Sequence, residues 1–195
     1  DDMLSQLIVS QVDGRGLNDD ELVGCLMMVL NGGHETTANL INNSLLALAH
    51  NPDAYAYLRA NPGAMPVAVE EFLRYDSPIL SIGRIVKEDT ELGGKQLSVG
   101  ERTFFMLLSA NRDEEVFDEP DRLDVTRDPN PHMAFGKGPH FCLGTPLARI
   151  EGQIVLQEII QRYASIELAQ PVESLPWINS LVTRGPARIP LRLRK

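Results

Sequence analysis

Apolar residues recur at helical spacing from the start of the chain. Leu4, Leu7, Ile8 and Val12 share one face of a helix expected over residues 1–12. A longer run follows. Asn18, with Glu21 three residues on, reads as a capping box. Leu22, Leu26, Val29, Leu30, Gly33, Thr37, Leu40, Ile41 and Leu48 then hold a period of about 3.6 residues up to Asn51-Pro52. The N-terminal half of this helix is apolar nearly all round, which predicts a central helix rather than a surface one. Shorter helices are expected over 53–59 and 65–75, the second stopped by Ser77-Pro78.

The pattern then changes. Residues 79–103 form short β-like runs with turns at Gly93-Gly94 and Gly100. Residues 104–111 fit either a strand or a short helix. Residues 113–131 are rich in Asp, Glu and Pro and carry no period, and an irregular connection of that length often signals function. Residues 147–163 read as helix, and the tail from Ser165 reads as strands and turns. Its last segment, "RIPLRLRK", looks like an edge strand with exposed charges. No repeat or composition shift divides residues 1–195, so a single domain is expected. Its fold class is mainly α with small β-sheets.

Composition narrows the function classes. With 43% hydrophobic and 23% charged residues the chain can form a sizeable core. Its 18 basic and 27 acidic residues give a formal net charge of -9, which argues against broad nucleic-acid or anionic-membrane binding. No apolar run reaches the roughly 18 residues of a membrane span, and no signal peptide is visible. A soluble, reducing, cytoplasmic setting is expected. Two cysteines make no disulfide framework. Cys25 lies in an apolar run and reads as a small buried hydrophobe.

Three stretches carry candidate chemistry. In "HMAFGKGPHFCLG", Cys142 and Gly144 precede a strong helix pattern, so the sulfur is expected near a helix N-terminus, where a thiolate is stabilised. Gly136, Gly138 and Gly144 would let backbone approach a flat or bulky partner, and His140 could bond an anionic group on it. A glycine-rich turn around a buried thiol explains the same residues. Zinc needs four good ligands at short spacing, and the other Cys and His candidates, Cys25, His34, His50 and His132, do not supply them. In "GGHETT", Gly32 and Thr36 share a helix face that a planar ligand could approach, while Glu35 places a carboxylate in a largely apolar helix. A helix-packing notch explains this equally. In "EEFLRY", Glu71 and Arg74 are spaced to pair, a signal that alone says little.

Taken in order, Gly-Gly-x-Glu-Thr, Glu-x-x-Arg and Phe-Gly-x-Gly-x-His-x-Cys-x-Gly resemble the haem-thiolate monooxygenases, the cytochromes P-450 of the soluble bacterial type. The likeness runs over essentially the whole chain and takes in "ELGG", "ANRD" and "LARIE". It implies a long central helix over the haem and a cysteine loop beneath it. It implies haem b as cofactor, with Cys142 as axial ligand of the iron and Phe135 packed beside the loop. His140 and Arg84 match propionate-binding positions. Gly32 and Gly33 would leave room for dioxygen and substrate, Thr36 would hydrogen-bond the oxygen, and Glu35 would help supply protons through water. Glu71, Arg74 and Arg122 match a buried structural network.

The resemblance also implies a lipophilic small-molecule substrate, whose pocket would include the regions 79–82 and 181–182. A ferredoxin-type redox partner would dock near Cys142, with Lys137 contributing. Family members are roughly twice as long, so the chain matches the C-terminal, ligand-bearing half. Exposure of the apolar face of the central helix, and self-association or binding to another chain, are then expected. A truncated, non-catalytic relative acting as a binding or helper subunit is the alternative.

Overall fold

The computed structural model describes residues 2–12 and 14–195; Asp1 and Asp13 lie outside the described residues. Helix α1 (Met3–Val9) is capped by Asp2, whose side chain accepts from Ser5 N at 2.9 Å. It is shorter than the helix expected over 1–12. Ser10 is extended, and Val12 pairs with Arg15 across the turn at Gly14 in a hairpin of β1 (Gln11–Val12) and β2 (Arg15–Gly16). Next comes α2 (Asp19–His50), which opens on the expected capping box. Glu21 N donates to Asn18 Oδ1 and Asn18 N to Glu21 Oε2, both at 2.9 Å. It runs without interruption through Gly32 and Gly33.

Three more helices build the core with the C-terminal half of α2: α3 (Pro52–Ala60), α4 (Met65–Tyr75) and α6 (Thr145–Arg162). Each has a proline in its first turn, where the missing N–H is not needed. Leu40, Leu48, Leu58, Val69, Phe72, Leu156 and Ile160 are almost wholly excluded from solvent. The helices meet at Gly152, where an added Cβ would lie 3.2 Å from Leu40 and 3.6 Å from Val69. Small antiparallel pairs surround this core. Strand β3 (Ser81–Ile85) pairs with β6 (Arg102–Met106), and β4 (Thr90–Leu92) pairs with β5 (Lys95–Leu97) across Gly93-Gly94. Strand β7 (Ser165–Leu168) pairs with β8 (Leu191–Arg194). The ambiguous stretch 104–111 is both things in turn, strand to Met106 and then α5 (Leu107–Ala110). The fold is thus mainly α with small sheets.

Two expectations fail. Cys25 is half-buried rather than buried. The N-terminal half of α2 lies at the surface, with Val23, Met27, Met28 and Leu30 each more than half exposed; all eight buried residues of α2 fall between Asn39 and Leu48. The helix is thus not buried along its length, while the exposed apolar face expected of a chain matching half of its family is present; the buried residues begin at Asn39.

The irregular stretch 113–131 is held by α4. Glu71 and Arg74 are both 0% exposed and form a two-pronged pair, Nε to Oε2 at 2.7 Å and Nη2 to Oε1 at 2.8 Å. Arg74 also donates to the carbonyls of Asn111 (2.9 Å), Pro120 (2.8 Å) and Arg122 (3.1 Å), and lies 5.2 Å from the Phe117 ring centroid. Glu71 accepts from Asp124 N at 2.9 Å and Asn130 Nδ2 at 3.1 Å. The third charge is not the expected one. Arg122 turns its guanidinium outward to Glu119, at 63% side-chain exposure, and contributes only its carbonyl. Arg127 takes the inner place, with Nε 3.2 Å from Glu71 Oε2 at 12% exposure. Breaking a buried pair strands its partner as an unpaired charge. We therefore expect Glu71→Ala or Arg74→Ala to destabilise the fold by about 3–5 kcal/mol. Urea unfolding measures this, and a loss below about 1 kcal/mol, typical of a surface pair, would contradict it.

Glu70, next along α4, ties this helix to α6. Arg149 grips its carboxylate at 2.7 Å through both Nε and Nη2, and His132 Nε2 lies 3.0 Å away. Burial alone would raise the Glu70 pKa, but the bonds from His132 and Arg149 outweigh it and lower the pKa from 4.5 to about 2. A carboxylate with a depressed pKa contributes stability that is complete above its unfolded pKa and is lost as pH falls through the folded one. The parent protein should therefore lose stability between pH 4.5 and about 2 through this group, and Glu70→Gln should lose less over that interval. Unfolding midpoints measured across the interval test this; parallel profiles would exclude the assignment.

Candidate functional site

The loop 132–144 is shaped by glycines at two positions. Gly136 and Gly138 have φ of 71° and 75°, the left-handed region that other residues enter at a cost. A single 3-10 turn, Gly138–His140, follows. Cys142 N then donates back to Phe135 O at 3.0 Å and closes the loop. Thr145 fixes the other side, its hydroxyl donating to Cys142 O at 2.7 Å. Gly144 is the cap residue of α6, and no side chain caps the first N–H groups of that helix. A Cβ built on Gly144 would sit 3.8 Å from Cys142 Sγ, so the sulfur lies beside this N-terminus. The thiol is exposed. An exposed sulfur beside a helix N-terminus is a site for a ligand with a positive centre, held where the helix dipole favours an anion.

Strand β3 packs against this loop through Ile82. A Cβ at Gly136 would touch Ile82 Cδ1 at 3.7 Å, so the side chain of Ile82 faces the loop. Arg84 is two residues on and shares that face of the strand. Its guanidinium is exposed and donates to Gly83 O at 2.8 Å. His140 is exposed in the loop itself. The loop surface is apolar around the thiol: Phe141 is 52% and Leu143 85% exposed, and Leu147, Ile150 and Ile154 continue the patch along α6. This set of donors fits a flat apolar group with carboxylates at its edge.

On α2, Gly32 and Gly33 have no atom within 4 Å of an added Cβ, so the helix surface there is open. The Thr36 hydroxyl donates to Gly32 O at 2.5 Å, four residues back. Glu35 is exposed, so the desolvation cost expected for its carboxylate does not arise in this chain. The two helices place both groups at one end of the molecule. They cross at Leu40 and Gly152, and beyond that point both run toward α3, where Tyr55 and Arg59 bond the last carbonyls after α6. Counting back from the crossing, Gly32 and Thr145 each lie roughly 10–12 Å along their helices. A cleft of about 560 Å³, lined by Leu46, His50, Tyr75, Arg112, Trp177 and Arg184, contains none of these residues. Among the described residues no group of three or more His, Cys, Asp or Glu side chains is arranged to hold a metal ion, and His140 and Cys142 have no such company. No helix of the described residues is long and apolar enough to cross a membrane.

Sequence reasoning missed Arg127, Asn111, Glu70 and Arg149, which carry much of the framework around the loop. Asn111 accepts from Met133 N through Oδ1 at 2.6 Å, at the start of the loop. None of the four was singled out, although Glu70, Asn111 and Arg149 stand inside the "EEFLRY", "ANRD" and "LARIE" stretches.

Comparison with known proteins agrees with this architecture. The family model described as Cytochrome P450 matches residues 1–62 and 64–190. The chain is 41% identical over 193 residues to cytochrome P450 107B1 of Saccharopolyspora erythraea, covering 98% of this chain and 48% of that protein. It is 41% identical over 176 residues to a steroid C26-monooxygenase of Mycobacterium tuberculosis, covering 90% of this chain and 47% of that one. The solved structure of the Bacillus subtilis 168 bacillaene polyketide synthase cytochrome P450 PksS superposes with a TM-score of 0.95 at 37% identity, covering 100% of this chain and 50% of that chain. The chain spans about half the length of the curated relatives it matches. Cytochromes P450 in general carry haem, and by family match, sequence identity and fold this chain belongs to the cytochrome P450 family.

Proposed function

We propose that this chain is the haem-ligand-bearing part of a monooxygenase that oxidises a small lipophilic substrate with dioxygen and electrons from a redox partner. The observation that carries the reading is the exposed Cys142 thiol beside the N-terminus of α6, in a loop turned by Gly136 and Gly138 in left-handed conformations. Haem b, when bound there, supplies the dioxygen chemistry, and donation from the Cys142 thiolate favours O–O cleavage.

The remaining roles belong to the chain's own side chains. Arg84 offers a planar, permanent cation suited to a propionate carboxylate, and His140 offers a second donor. Phe135 packs behind the loop. Gly32 and Gly33 leave the α2 surface free for dioxygen and substrate. Thr36 holds its proton against the Gly32 carbonyl and can turn it toward a bound oxygen. Glu35 is exposed and free to exchange protons with water on the same helix. A lipophilic substrate is supported by the exposed apolar side chains of Leu181 and Val182, by Ile79 to Ile82, and by the steroid named in one relative. A ferredoxin-type protein is the proposed electron donor, docking on the Cys142 side near Lys137.

Reconstitution with haem tests the reading. After reduction and addition of carbon monoxide, the protein should show the strongly red-shifted Soret band of thiolate ligation, and Cys142→Ala should lose it. A band unchanged in Cys142→Ala would reject Cys142 as the ligand. Absence of uptake would instead favour a helper subunit.

A further inference from the structure

Glu70 and Glu71 are neighbours on α4 with separate tasks. They point about 100° apart around the helix, and only Glu71 joins the Arg74 pair. Glu70 reaches the cysteine loop. Its carboxylate takes both prongs of Arg149 at 2.7 Å and sits 3.0 Å from His132 Nε2. Ala134 N donates to His132 Nδ1 at 3.2 Å, which leaves the proton that faces Glu70 on Nε2. His132 and Arg149 bracket the loop and the first turn of α6, so one carboxylate ties down both ends of the segment that contains Cys142. The clamp is largely shielded: side-chain exposure is 4% for His132, 25% for Glu70 and 36% for Arg149.

The clamp continues to the cysteine. The Arg149 guanidinium lies 5.0 Å from the Phe135 ring centroid. That ring also stands 6.0 Å from His132 and, edge-on, 6.3 Å from Phe141. The carbonyl of Phe135 is the acceptor for Cys142 N at 3.0 Å. The Glu71–Arg74 pair does not duplicate this path, because it meets the loop at Met133, through Asn111.

We propose that Glu70, acting through Arg149 and Phe135, is a positioning residue that sets where the Cys142 sulfur lies against the N-terminus of α6. The proposal rests on the reading of Cys142 as the haem ligand. Arginine suits position 149 because a lysine can neither grip a carboxylate with two prongs nor stack flat on an aromatic ring.

The test uses a Cys25→Ser background, so that Cys142 is the single thiol, and reads two signals. In haem-free protein, alkylation of Cys142 by iodoacetamide should be roughly five- to tenfold faster in Glu70→Gln and in Arg149→Lys, as expected for loss of a charge-assisted bond. Tyr55→Phe, which removes a bond to Tyr163 O far from the loop, serves as a control for general loosening and should leave the rate unchanged. After reconstitution, the carbon monoxide band of the two clamp variants should split, with a share moving to the position seen without thiolate ligation. A rate in Glu70→Gln equal to that of the background, or matched by Tyr55→Phe, together with a single unshifted band, would overturn the proposal. If the background protein itself lacks the thiolate band, the ligand reading fails, and the alkylation rates still decide whether Glu70 positions Cys142.

Discussion

Two opposite charges with no exposure to water hold this structure together. Burying Glu71 and Arg74 carries a large desolvation cost, which their mutual attraction offsets only if the remaining hydrogen-bonding capacity of both is used. It is used by the irregular stretch between α5 and the cysteine loop. That stretch turns the carbonyls of Asn111, Pro120 and Arg122 toward α4, with no sheet or helix to satisfy them. Buried backbone groups need partners. Arg74 supplies the donors, and Glu71 receives Asp124 N and the Asn130 amide in return. The buried charges and the structureless chain around them each solve the other's problem. The cysteine loop begins where this arrangement ends, at Met133 on the Asn111 side chain.

The helices give the loop its orientation. A narrow buried stripe on α6, at Thr145, Gly152, Leu156 and Ile160, seats it against α2 and α4. Apolar side chains on β6, on α6 and on the N-terminal half of α2 are exposed. A chain that covers about half of its relatives' length has this much apolar surface left to cover.

Much of this was legible in the sequence, for identifiable reasons. The boundaries of α4 and the start of α2 follow from local signals, a Ser-Pro stop and a capping box, and need no tertiary knowledge. The spacing of Glu71 and Arg74 was readable, but its importance was not, since the same spacing occurs on any helix surface. Arg122 and Arg127 show the limit most clearly. Both lie in a stretch without a period, so nothing local says which guanidinium turns inward, and the choice falls to Arg127 through packing alone. The apolar pattern of the N-terminal half of α2 reads by itself as a buried helix, and its exposure was expected only from the likeness to a family about twice as long. Apolar pattern tells which face is to be covered, not what covers it.

The Glu71–Arg74 pair anchors the start of the cysteine loop at Met133 and does not merely contribute to stability. Amide hydrogen exchange in the native state reads this directly. In Glu71→Gln, the Met133 amide, which bonds Asn111 Oδ1, should lose protection along with the amides of residues 122–126. The helical amides near Gly152 should exchange only as fast as the global loss of stability requires. If instead Met133 keeps its protection relative to the helices, the start of the loop is held by something else and the Glu71–Arg74 pair is not its anchor.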